Sequence, residues 1–216
     1  MNLLEHPVHL IIVLFALSIL PLFVVMGTSF LKISIVLSML RTALGVQQIP
    51  PNMAIYGLSM VLTMFIMAPV GKDIYDNIQK DPISLDSKDI LTKIDKQAAA
   101  PYRLFLKKHS HRKQINYFSK IGHKIWPKEY HENLDPDSLI VLIPAFTMSQ
   151  LIEAFKIGLL IYLPFVAIDI IVSNILLAMG MMMVSPMTIA LPFKILIFIM
   201  MGGWEKLIGQ LMLSFS

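Results

Sequence analysis

Hydrophobic and polar positions divide the chain into three stretches. Residues 10–31 carry no charge, Lys32 interrupts, and apolar residues resume as far as position 40, before Arg41. As a helix, residues 10–31 would extend about 33 Å, enough to cross a bilayer core of about 30 Å. Pro21 is a candidate kink within it. "GVQQIPPN", residues 45–52, comes next. Gly45 suits a helix end, and Pro51 suits the first turn of a following helix. A second apolar run covers 52–70, so residues 1–70 are expected to form a helical hairpin.

Residues 71–137 are polar. They hold 13 of the 18 Lys and Arg, 10 of the 14 Asp and Glu, and four of the six histidines. Their apolar positions still recur with helical spacing. Ile90, Leu91, Ile94 and Ala98 share one face, and Tyr117, Phe118, Ile121 and Ile125 share another. Pro101 suits the start of a helix over "PYRLFLKKH". "LDPDS", residues 134–138, predicts a helix start with Asp135 as the cap and Pro136 in the first turn. Residues 138–216 are apolar again but punctured by prolines, glycine and charges. Two spans fit there, roughly 151–178 and 188–209, and residues 139–152 predict a shorter re-entrant or buried helix. The expected fold is all-α: membrane-associated helical hairpins with a helical polar insert over 71–137.

Orientation follows from the short connections. Arg41, with Lys32 nearby, marks the 41–52 connection, which has no acid, whereas the connection around Ser185 is uncharged. The excess of positive charge in cytoplasmic loops places 41–52 in the cytoplasm. Four spans then put both termini and the insert on the far side.

Composition agrees with a membrane chain. It is 56% hydrophobic and 15% charged, with a mean hydropathy of +0.71, whereas soluble domains are about 45–50% apolar and about a quarter charged. The first twenty residues contain Glu5 but no Lys or Arg, unlike a secretory signal, so a retained membrane segment is expected. There is no cysteine, which excludes disulfides and thiolate chemistry. The net charge of +4 is modest, and no dense basic run argues for nucleic acid. His109-x-His111 puts its two rings on different helix faces, unlike a zinc pair. No nucleotide loop, nucleophile elbow or metalloprotease motif is present. Neither an enzyme nor a cofactor is expected.

Charges inside the apolar runs are informative, because each costs about 2.5–3.5 kcal/mol at bilayer depth on insertion scales. Lys32, Glu153, Lys156, Asp169 and Lys194 are the five. Glu153 and Lys156 are three apart and can pair on one helix face. Asp169 has no partner on its own helix, so Lys32 or Lys194 is expected to reach it, in the fold or from another subunit. Buried ion pairs and a wet ion path are both open readings. Either buries these faces in protein, which argues for an oligomer.

The densest unusual feature is "MGMMMVSPMT", residues 179–188, with five of the chain's sixteen methionines. Three readings fit. The methionines fill a core. They bind Cu(I) through thioethers, with Met179, Met182, Met183 and Met187 at helical spacing. Or, repeated around an oligomer's axis, they form an apolar ring that dewets and blocks ions while moulding around passing chains.

Long blocks of this sequence closely resemble the SctR/FliP family. They are "GTSFLKISIVLSMLRTALGVQQIPPN" (27–52), "APYRLFLKKH" (100–109), "SLIVLIPAFTMSQL" (138–151), "AFKIGLLIYLPFVAIDIIVSNILLAMGMMMVSPMTIALPFKILIF" (154–198) and "GGW" (202–204). The resemblance implies a core subunit of the type III secretion export apparatus in the bacterial inner membrane. It implies a pentamer assembled with SctS/FliQ-type and SctT/FliR-type subunits, passing unfolded proteins through a helical export gate. The polar insert would face the periplasm, and much of the chain would be lifted towards it, so that charges in the spans face protein. A methionine gasket is carried over to Met179, Met181, Met182 and Met183, with Met187, beyond Pro186, a weaker candidate. The missing signal peptide favours an injectisome member over a flagellar one. A Met-rich copper or ion transporter and an assembly scaffold that lines no pore are the alternatives.

Overall fold

The computed structural model describes residues 7–46, 49–80 and 95–216. Eight α-helices are found among them: α1 (Pro7–Gly27), α2 (Phe30–Leu44), α3 (Asn52–Lys80), α4 (Ala100–Lys108), α5 (Arg112–Ile125), α6 (Leu139–Ala178), α7 (Pro186–Met200) and α8 (Gly203–Leu213). A π-helical turn (Asp95–Ala99) precedes α4, and a 3-10 segment (Lys128–Leu134) follows α5. There is no strand among the described residues, so the fold is all-helical, as expected. α3 and α6 are long and apolar enough to cross a membrane, and the count rises to four if each of two broken helix pairs is one span.

Helix boundaries depart from the sequence reading in several places. The uncharged run 10–31 is not one helix: it continues past Pro21 but breaks at Thr28–Ser29. Thr28 serves both sides of the break. Its hydroxyl donates to the Val24 carbonyl (2.5 Å) and accepts from the Phe30 N–H (3.3 Å). α3 does not stop at Val70 but runs to Lys80, because Gly71 is followed by helix-compatible polar residues. The separate elements expected at 139–152 and 151–178 are one helix of 40 residues. Pro144 and Pro164 remove two N–H donors from α6 without ending it, and at this length it extends about 60 Å, twice a bilayer core. Finally, α6 begins three residues later than Pro136 suggests. Asp135 Oδ1 accepts the Asp137 N–H (3.2 Å) in a local turn, and the Ser138 carbonyl takes the first helical N–H groups, from Val141 and Leu142.

The chain forms two compact units, each discontinuous in sequence: residues 1–31 with 67–149, and residues 32–66 with 150–216. In the first, Phe105, Leu106, Ile115, Leu134, Val141, Leu142 and Phe146 are buried. The Phe105 and Phe146 rings lie 5.6 Å apart. Pro101 starts α4 as expected, and Arg103 forms an ion pair with Asp95. The inward face of α5 is Ile115, Phe118, Ser119 and Gly122, while Tyr117 and Ile125 are exposed, which corrects the face expected at 117, 118, 121 and 125. Gly122 decides this rotation: a Cβ there would collide with the Leu134 side chain. The face expected at Ile90, Leu91 and Ile94 lies outside the described residues.

The same unit holds the α1 break. The Tyr102 hydroxyl donates to the Gly27 carbonyl (2.9 Å), and the Thr147 hydroxyl lies 3.0 Å from the Met26 carbonyl. These satisfy groups that a helix end leaves without an intrahelical partner. Burial pushes the Tyr102 phenol up to about 12, so it is neutral and able to donate. Gly27 is required by this contact, since a Cβ would overlap the Tyr102 oxygen.

In the second unit α2 is the central element. Ile33, Val36, Leu37, Leu40, Ala43 and Leu44 recur at helical spacing and are all buried. They supply three apolar clusters, completed by Ile55 of α3, Ala154 and Phe165 of α6, Phe198 of α7 and Leu211 of α8. Leu207 packs against all three. The span expected at 188–209 is broken at Met201–Gly202, where Gly202 takes φ +62° and α7 and α8 meet at 62°.

Candidate functional site: the methionine loop and the charges behind it

The methionine cluster occupies the connection 179–185 between α6 and α7. Its geometry is written in the local sequence. Gly180 has φ +73°, the left-handed conformation that glycine adopts without strain. Its N–H donates to the Leu177 carbonyl (3.0 Å), and the Met181 N–H donates to the Leu176 carbonyl (2.9 Å). This pair of bonds is the Schellman ending of a helix. Four residues later, Ser185 has extended backbone and Pro186 fills the first turn of α7.

Between these two stops the thioethers face outward. Met179 is 67% exposed, Met181 40%, Met182 81% and Met183 101%. Side chains this open do not fill a core within the chain. The helical spacing behind a Cu(I) site needs one helix through 179–187, and none joins Ala178 to Pro186. Met187, the weaker candidate, belongs to the first turn of α7 and lies outside the connection. Its Cγ lies 3.7 Å from where a Cβ on Gly45 would sit.

The five charges lie in the second unit, as three arrangements. Lys194 of α7 is 2% exposed, and its ammonium donates to Asp169 Oδ2 of α6 (2.6 Å) and to the Ala43 carbonyl of α2 (3.2 Å). One cation thereby ties three helices, and the carbonyl belongs to the last turn of α2, the negative end of its dipole. Asp169 Oδ1 is buried without a hydrogen-bond partner among the described residues. Lys32 is 3% exposed and sits over the Phe215 ring, 4.1 Å from its centroid, a cation–π contact. Glu153 accepts from Lys156, its i+3 neighbour, at 3.1 Å.

Other features escape the sequence. Arg41 donates to Asn52 Oδ1 (2.5 Å) and to the Pro50 carbonyl (3.2 Å), which closes the α2–α3 connection. Arg41, Gly45, Asn52 and Met187 line a pocket of about 610 Å³. Nothing in the one-dimensional pattern joins residues so far apart. His123 and His131 stack at 4.9 Å, each with a ring nitrogen on a backbone carbonyl. No group of three or more His, Cys, Asp and Glu suited to a metal occurs among the described residues.

Residues 13–211 match the model of the FliP family. Virulence protein YscR of Salmonella typhimurium is 55% identical over the whole of both chains. Yop proteins translocation protein R of Yersinia pestis is 52% identical, over 99% of this chain and 98% of that protein. Harpin secretion protein HrcR of Erwinia amylovora is 42% identical, over 97% and 96%. The chain belongs to the FliP family.

Proposed function

We propose that this chain is a core subunit of a type III secretion export gate. It passes unfolded proteins across the bacterial inner membrane, with Met179, Met181, Met182 and Met183 as the deformable seal. The observation that carries this reading is the exposure of those thioethers on a loop closed at both ends by its own backbone. Apolar side chains held in the open need a partner, and around a common axis they find it in each other and in the substrate. A dewetted apolar ring blocks ions, and Met adapts to varied side chains passing through it. The names of the relatives, which include virulence, translocation and harpin secretion, support a secretion role. No catalytic role is assigned.

The gate is proposed to be a pentamer, completed by SctS/FliQ-type and SctT/FliR-type subunits, with the insert 71–137 on the periplasmic face and lipid around the apolar helices. The large exposed apolar residues of α3 and α6, such as Phe65 and Ile171, are the surfaces such neighbours would cover, while Leu160 is placed against lipid. Lys32, Glu153, Lys156, Asp169 and Lys194 set the helix contacts behind the loop. Asp169→Asn leaves the Lys194 ammonium buried with a neutral partner, and oligomer yield from detergent is expected to fall; an unchanged yield contradicts that structural role.

A photocrosslinker at position 182 tests the conduit directly. A stalled substrate is expected to form an adduct there. A scaffold that assembles the apparatus without lining its pore gives none.

A further inference from the structure

α5 carries a second surface feature that the gate reading does not use. Between Arg103 and Lys128 the chain has eight Lys and Arg and no Asp or Glu. Arg103 and Lys107 are held by Asp95 and Asp137. Folding of α5 sorts the others. Ile115, Phe118, Ser119 and Gly122 turn inward, which leaves Lys113, Tyr117, Lys120 and Lys124 along the outermost line of the helix, at i, i+4, i+7 and i+11. All four are exposed, and none of the three lysines is in an ion pair among the described residues. The ridge is about 16 Å long. Its charge does not read as a basic run because helical spacing, not adjacency, collects it.

We propose that this ridge docks on an anionic phospholipid surface. Charge complementarity fixes the sign of the partner: three unpaired ammonium groups face one way with no acid among them. The shape favours a broad surface over a pocket, because the ridge is a convex helix face. Lysines, as hydrated point charges on flexible stems, suit a fluid array of phosphates better than a single bidentate site. Tyr117, Trp126 and Tyr130 are exposed in the same segment, and Tyr and Trp concentrate at membrane–water interfaces. The apolar face of α5 is consumed inside its own unit, so the helix lies against headgroups without inserting. The inference rests on the membrane reading of this chain.

The absence of native cysteine makes the test clean. The full chain, with its partner subunits, is reconstituted in nanodiscs of phosphatidylcholine alone or mixed with phosphatidylglycerol. A fluorophore on Asn116→Cys reports energy transfer to a headgroup-labelled lipid. A second label, on Leu160→Cys in α6, reports quenching from the acyl chains. Transfer at 116 is expected only with phosphatidylglycerol, and it weakens with salt as screening shortens. Replacing Lys113, Lys120 and Lys124 by Gln lowers the ratio of apposed to detached helix about fivefold per lysine, roughly 100-fold for three.

Quenching at 160 without transfer at 116 overturns the ridge proposal and leaves the membrane reading intact. No quenching at 160 overturns both. Transfer that is equal in the two lipids overturns the electrostatic basis. Loss of a co-purifying subunit in the triple variant, with no lipid effect at 116, overturns it in favour of a protein partner.

Discussion

Two apolar segments of this chain are interrupted, and they are interrupted by different means. At Thr28–Ser29 the backbone is buried, with Ser29 wholly inaccessible. The Gly27 carbonyl freed there accepts from Tyr102, 75 residues away, and the Thr147 hydroxyl, 121 residues from Met26, lies beside the Met26 carbonyl. At 179–185 the backbone is open, and the break is closed by bonds between Leu176, Leu177, Gly180 and Met181. The first break draws on tertiary contacts as well as on the local bonds of Thr28, and the second is encoded locally. A locally encoded break survives whatever its surroundings do, which suits a loop whose side chains must stay outside the chain's own core.

The contrast predicts unequal responses. Tyr102→Phe combined with Thr147→Val removes both hydroxyls that reach the end of α1 and leaves the Gly27 carbonyl without its donor. About 1–3 kcal/mol of stability is expected to be lost, the cost of one buried group left unsatisfied. Chemical denaturation measures it, and a loss below about 0.5 kcal/mol would mean that the first break is local as well.

The pH dependence points the same way. Tyr102 has a folded value of about 12 against an ordinary value of 10.0. The neutral phenol is therefore favoured in the folded state. Its contribution is fully present below pH 10 and lost as pH rises towards 12. Tyr102→Phe should abolish that slope, while Gly180→Ala should leave it unchanged.

At the second break the effects are smaller. Gly180→Ala forces an alanine into φ +73° and is expected to cost about 1–2 kcal/mol. The change should be confined to the loop and visible as faster amide exchange at position 180 and at Met181. Replacing Met181, Met182 and Met183 by Ala should alter stability by less than about 0.5 kcal/mol, since exposed side chains contribute little.

The same contrast explains which parts of the molecule were legible. Gly180 and Pro186 act through their own backbone angles, so the methionine loop could be bounded from one short string of residues. The i, i+3 pairing of Glu153 with Lys156 is local in the same sense. The end of α1 could not be read, because its determinants lie in α4 and α6. α6 was divided in the sequence reading because residues 139–152 are too short for a span of their own, yet the helix runs on without a break to Ala178. The inward face of α5 was misplaced by about a quarter turn. Tyr117 and Ile125 are apolar enough to suggest burial, but Gly122, whose missing side chain admits Leu134, sets the rotation. Glycine carries no hydrophobic signal, so the pattern could not show this. Asp169 announced that it needed a partner, and two lysines were candidates; only the fold brings Lys194, rather than Lys32, to 2.6 Å.

The central claim is that the thioethers of the loop seal a pore. Its most direct test is the leakage of a small dye or ions through the assembled complex, reconstituted in vesicles, with Met181, Met182 and Met183 replaced by Ala. Assembly should be normal and leakage should rise severalfold over the unaltered complex. A normally assembled triple variant that stays as tight as the original would contradict the seal.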